Sequence, residues 1–66
     1  MTVVEIKTVT GRDYYAATNL TFEKYVENIS SFEVRYIRAN DTLNKTSWVK
    51  TDAIEAITLI EESEDD

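Results

Sequence analysis

The sequence predicts an α+β domain: a strongly bent antiparallel sheet or small β-barrel of about five strands, with one short helix between strands 2 and 3, in the order β-β-α-β-β-β. Three observations carry this reading. Several short stretches rich in Val, Ile, Thr and aromatic residues alternate apolar and polar side chains. One stretch instead repeats its apolar residues at helical spacing. The chain has no proline, and the gaps between stretches are hairpin-sized, which favours antiparallel pairing.

Thr2 to Val9 is the first strand, with Val4, Ile6 and Thr8 on one face and Val3, Glu5, Lys7 and Val9 on the other. Thr10-Gly11-Arg12-Asp13 contains the only glycine and reads as a hairpin turn. Asp13 to Ala17 returns as the second strand and places Tyr14 and Tyr15 on opposite faces. The helix is expected over about Phe22 to Ile29, with Thr21 as N-cap and Leu20 and Tyr25 spaced as a hydrophobic staple. Phe22, Tyr25, Val26 and Ile29 form its apolar stripe, and a helix this short must dock on the sheet to persist.

Ser31 to Ala39 reads as the third strand, with Phe32, Val34 and Tyr36 inward and Glu33, Arg35 and Ile37 outward. A loop through Asn40 to Asn44 leads to a fourth strand, Lys45 to Lys50, with Trp48 and Val49 on opposite faces. A helix from Asp52 to Glu62 is conceivable, but Ile57, Thr58 and Ile60 are β-branched and stiff. The preferred reading turns the chain at Thr51-Asp52, adds one tight turn at Ala53-Ile54, and runs a fifth strand over about Ala56 to Glu61.

The T-G-x-x-Y that closes the first hairpin, the T-F-E-K-Y-V helix, and the later W-V and I-x-x-I resemble short uncharacterised proteins of Gram-positive phages and mobile elements. The ending T-D-A-I-E-A-I is similar to the last turn and strand of SH3-like or Sm-like small barrels. The resemblance covers residues 1–60 as a pattern of residue types. It implies an accessory protein of a phage or mobile element and carries no catalytic residue.

The formal net charge is −6, yet residues 61–66 hold five acids and no base, which leaves −1 for residues 1–60. Residues 1–60 therefore read as one nearly neutral domain and residues 61–66 as a disordered acidic tail. Glu5 and Lys7 interrupt the apolar N-terminus, so neither a signal peptide nor a membrane span is expected, and the expected compartment is cytoplasmic. All four asparagines stand in N-x-S/T frames, at Asn19, Asn28, Asn40 and Asn44, and read as turn and capping residues.

Without histidine or cysteine the chain lacks the side chains most often used for proton transfer, nucleophilic attack and zinc binding. One glycine cannot build a phosphate-cradling loop. No enzyme activity, cofactor or metal is expected. The expected function is contact with protein, as a homo-oligomer (a dimer first) or on a protein target such as a host protein to be inhibited. The reason is geometric: a two-turn helix covers one side of the sheet and leaves apolar groups on the other. The candidate protein interface is Tyr14, Tyr15, Ile37, Trp48 and Ile60. The alternative is a small-barrel nucleic-acid binder using Arg35, Arg38, Tyr15 and Trp48, although the body is not basic and the tail opposes phosphate.

Overall fold

The computed structural model describes residues 1–62, which form β1 (Thr2–Thr8), β2 (Asp13–Thr18), α1 (Phe22–Ile29), β3 (Tyr36–Asp41), β4 (Thr46–Lys50), a 3₁₀ turn (Thr51–Ala53) and β5 (Ile54–Glu62). All five strands belong to one antiparallel sheet in the order β4-β3-β2-β1-β5. The molecule is mostly β, with one short helix laid over part of one face.

The first hairpin forms as its residues dictate. Alternation puts Thr2, Val4, Ile6 and Thr8 on the covered face, all buried, and Val4 and Ile6 are fully so. Gly11 turns the chain with φ 86°, a left-handed value that a side chain strains to adopt. The buried Thr8 hydroxyl stays within hydrogen-bond reach of Thr10 Oγ1 at 2.9 Å, and the Arg12 N–H donates to it at 3.3 Å. At the other end Thr2 Oγ1 donates to the Leu20 carbonyl at 2.6 Å and fixes the approach to α1.

Thr21 caps α1: its Oγ1 accepts from the Lys24 N–H at 3.2 Å and its carbonyl from the Tyr25 N–H at 2.8 Å. Tyr25 and Ile29 are buried in the core with Val4, Ile6, Ala16, Ile37, Ala39 and Val49, while Phe22 and Val26 are half-buried at its margin. A Thr21→Ala chain is expected to lose about 1 kcal/mol, because a first-turn N–H loses its acceptor. A urea titration reads this directly; an unchanged midpoint would show the cap to be idle.

Two sequence readings are corrected here. The third strand begins at Tyr36, not Ser31, because Ser31 accepts from the Val34 N–H at 3.0 Å and residues 31–35 form a turn and connection. Val34 packs against the core as expected, but within the strand the inward face is inverted. Ile37 and Ala39 are core, Tyr36 is exposed, and Phe32 is 92 % exposed. The second correction concerns closure: β4 and β5 are the two edges and do not pair, so the sheet is open rather than a barrel.

The sheet is nonetheless curled. A flat sheet of five strands sets its edges about 19 Å apart, at about 4.8 Å per neighbour. Three 3₁₀ residues advance only about 6 Å, yet Thr51–Ala53 carry the chain from β4 to β5. The turn is fastened on both sides. The Thr51 N–H donates to the Arg35 carbonyl at 2.8 Å, Thr51 Oγ1 donates to the Val34 carbonyl at 2.8 Å, and the Val9 N–H donates to the Ala53 carbonyl at 2.8 Å.

Residues 54–62 are strand, which settles the helix-or-strand question in favour of β-branching. The strand takes in Glu61 and Glu62, opposite Val3 and Thr2, both of which fall within the stretch expected to be tail. Glu62 also reaches α1, where its Oε2 accepts from the Phe22 N–H at 2.7 Å, a charge-assisted contact at the positive end of the helix. The rest of the expected tail, residues 63–66, lies outside the described residues. Among the described residues no helix is long and apolar enough to cross a membrane.

Candidate functional site

Among the described residues no element covers the sheet face away from α1, and this face carries the chemistry. Ladder register places side chains on it. Arg38 on β3 is opposite Trp48 on β4, Tyr36 is opposite Lys50, and Asn40 is opposite Thr46. Asn40 is also opposite Tyr15 of β2, which in turn is opposite Glu5 of β1. Directly opposed side chains are about 5 Å apart at Cβ and diagonal ones about 7–8 Å, so Tyr36, Arg38 and Trp48 form one contiguous patch with Lys50 at its border. Trp48 is 69 % exposed, Tyr36 54 % and Tyr15 39 %, a large uncovered aromatic surface for so small a chain.

Tyr15 is anchored at the margin: its hydroxyl donates to Glu5 Oε2 at 3.4 Å. The Glu5 carboxylate beside it holds the Tyr15 phenol above its ordinary value of 10, because ionising it would bring two negative charges together. Lys50 lies 4.0 Å from Asp52 in a solvent-exposed pair, too screened to hold the lysine in place.

The charge of the described chain is divided by position. Residues 35–50 contain Arg35, Arg38, Lys45 and Lys50 against Asp41 alone, a net +3. Residues 51–62 contain Asp52, Glu55, Glu61 and Glu62 and no base, a net −4. The β3–β4 hairpin is thus the basic end of the sheet and β5 the acidic edge. The hairpin loop is built for this extension. Asp41 Oδ1 accepts from the Leu43 and Lys45 N–H groups at 2.9 Å each, and Asn44 takes φ 63°, which asparagine tolerates.

On the helix side a second feature stands open. A groove of about 1080 Å³ runs between α1, the 30–35 connection and the start of β5, lined by Phe22, Val26, Phe32, Val34, Ile54 and Ile57 among others. It exists because eight helical residues cannot span the curled sheet. Arg35, Tyr36 and Lys50 reach its rim.

The candidates named from sequence therefore separate. Tyr15, Arg38 and Trp48 come together on the bare face. Tyr14 is opposite Ile6 and packs against the core. Ile37 is 7 % exposed and cannot meet a partner, which removes it from the candidate interface. Ile60 is 55 % exposed but sits on β5 where the register slips, with no partner on β1. Arg35 precedes β3 and belongs to the groove rim. Sequence reasoning missed Tyr36 by assigning it to the core. Its signal was present in residues 36–41 taken alone, where Ile37 and Ala39 alternate with Tyr36, Arg38 and Asn40. Among the described residues no group of three or more His, Cys, Asp or Glu side chains is placed to hold a metal ion. Compared with known proteins, the chain matches no family model, no curated protein and no solved structure.

Proposed function

We propose that this chain is a non-enzymatic protein-binding or assembly module whose contact surface is the bare sheet face. The observation that carries the reading is the exposed patch of Tyr36, Arg38 and Trp48 on adjacent strands. Tryptophan, tyrosine and arginine are the side chains that contribute most at protein interfaces, and the two aromatic types gain large contact area for little conformational entropy. In the phage or mobile-element setting that the sequence pattern resembles, such a module would act by assembling or by occupying a host protein.

Trp48 is the only tryptophan, so its emission reports on this face without labelling. Dilute protein is expected to show the spectrum of a water-exposed indole, moving to shorter wavelength as a complex forms. A Trp48→Ala chain is expected to unfold at the wild-type urea midpoint within about 0.5 kcal/mol, since the residue is exposed. It is expected to lose about 2 kcal/mol or more of binding, about thirtyfold in affinity. Sedimentation from micromolar to millimolar concentration, beside capture of proteins on the immobilised chain, decides the matter. A chain that stays monomeric and retains nothing that Trp48→Ala fails to retain would overturn the reading.

A second reading rests on one observation, the net +3 of residues 35–50 around the same aromatic residues. Bases stack on exposed aromatic rings and phosphates seek such a patch. Quenching of Trp48 by a single-stranded oligonucleotide at low salt, lost steeply as salt rises, would move the conclusion to nucleic acid.

A further inference from the structure

Among the described residues both edges of the sheet are unpaired, and an exposed edge strand is a template for another strand. We propose that the two edges fit one another: β4 of one copy docks antiparallel along β5 of a second copy, and Trp48 enters the second copy's groove beside α1. This rests on the protein-contact reading above and names the partner and the surfaces.

Hydrogen-bond parity fixes which residues face each edge. The Asp41 N–H donates to the Lys45 carbonyl at 2.9 Å and the Thr51 N–H to the Arg35 carbonyl at 2.8 Å, so odd-numbered residues of this hairpin arm turn their backbone groups toward β3. Thr46, Trp48 and Lys50 therefore present theirs to the free edge. On β1 the Thr8 N–H donates to the Arg12 carbonyl and the Val9 N–H to the Ala53 carbonyl, so odd-numbered residues serve β5. Glu5 and Lys7 are opposite Thr58 and Ala56, which leaves Ile57 and Leu59 with backbone groups on the free edge of β5.

Antiparallel pairing joins outward residues to outward residues. One register sets Lys50 against Glu55 of the second copy, Trp48 against its Ile57 and Thr46 against its Leu59. Opposed residues share a face, and Trp48 lies on the bare face while Ile57 packs against the core side. The second copy is thus turned over, and its groove side meets the first copy's aromatic patch. Trp48 then lies against Ile57 where Phe22, Val26 and Ile54 line the groove. Each copy covers what the other leaves exposed.

Charge selects this contact over the symmetric ones. β5 (Ile54–Glu62) carries Glu55, Glu61 and Glu62 and β4 (Thr46–Lys50) carries Lys50, so pairing β5 with β5 sets −3 against −3 and pairing β4 with β4 sets +1 against +1, whereas β4 on β5 sets +1 against −3 with Lys50 opposite Glu55. The contact is head-to-tail, so it continues from copy to copy until a ring closes or a filament grows.

Two capped chains test it. In Trp48→Pro the lost N–H faces the free edge of β4, and in Leu59→Pro that of β5, so neither ladder inside the sheet loses a bond. Wild type is expected to exceed a dimer by sedimentation as concentration rises, and less so at high salt. Each capped chain alone is expected to be monomeric. Their equimolar mixture is expected to form a heterodimer and nothing larger, since each supplies one intact edge. Trp48→Pro has no tryptophan, so adding it to Leu59→Pro should shift the indole emission of the latter to shorter wavelength. Circular dichroism checks that both fold, and Trp48→Lys with Leu59→Lys, which block each free edge with a charge instead, replaces the pair if a proline unfolds its chain. Wild type that associates while the capped mixture stays monomeric overturns the edge pairing and leaves the protein-contact reading standing. Wild type that remains monomeric at millimolar concentration overturns the proposal at its root.

Discussion

A Tyr25→Ala chain is expected to be largely unfolded in dilute buffer at room temperature. Tyr25 is the buried anchor of α1, 8 % exposed and packed in the core with Val4 and Ile6. Truncating a buried aromatic residue to alanine costs about 3–5 kcal/mol, from lost burial and the cavity left behind. A domain of 66 residues has about 3–10 kcal/mol of stability in total, at about 0.05–0.15 kcal/mol per residue. The loss is comparable to the whole. Eight residues cannot stay helical off the sheet, so helix and core should fail together. Far-ultraviolet circular dichroism during a urea titration is the measurement. A drop under about 1 kcal/mol would mean that α1 is held by something other than Tyr25.

The same residue gives the fold a response to alkali. Burial pushes the Tyr25 phenol above its ordinary value of 10. The native state therefore favours the neutral phenol, and the unfolded chain ionises first. This contribution is fully present below 10 and is lost as pH rises through the higher native value. Tyr25→Phe is expected to flatten that loss. The Tyr15 phenol is raised too, so the comparison must be made between Tyr25→Phe and wild type rather than from wild type alone.

Ile6→Ala is expected to cost about 2–5 kcal/mol. Ile6 is fully buried on β1, opposite Tyr14 on β2 and Ile57 on β5, so strands on both sides lose contact with it. Its neighbours on the strand give the control: Lys7→Ala, exposed on the other face, should shift the urea midpoint by no more than about 0.5 kcal/mol. Equal shifts for the two would mean that β1 is paired one residue out of register.

Much of this was legible in the residues. The alternation of β1, the cap and stripe of α1, and the β-branching of Ile57, Thr58 and Ile60 were each local signals, and each was read as the structure has it. The third strand was not. Phe32 and Val34 extend an apparent alternation backwards across a turn, and a period of two carries no mark of where it starts. Anchoring the phase on Phe32 turned Tyr36 inward and Ile37 outward. Edge closure was equally out of reach, because whether β4 meets β5 depends on curl accumulated over the whole sheet. Glu61 and Glu62 read as tail because charge argues for solvent; that one of them would meet a helix end is a tertiary fact. Of the candidate site, Trp48, Tyr15 and Arg38 were named from type and parity, and Tyr36 was lost with the phase of its strand.

The order of the sheet also bears on how the chain comes to be folded as it is made. β1 finds one neighbour at once, in residues 13–18, but waits for the other until residues 54–62 have been synthesised. Until then the nascent hairpin carries one bare flank, and the pairing that completes it has the longest sequence separation in the fold, the slowest kind to form. A chain arrested within β5 would thus hold a half-zipped sheet, with the inner strand β1 still missing one of its two neighbours.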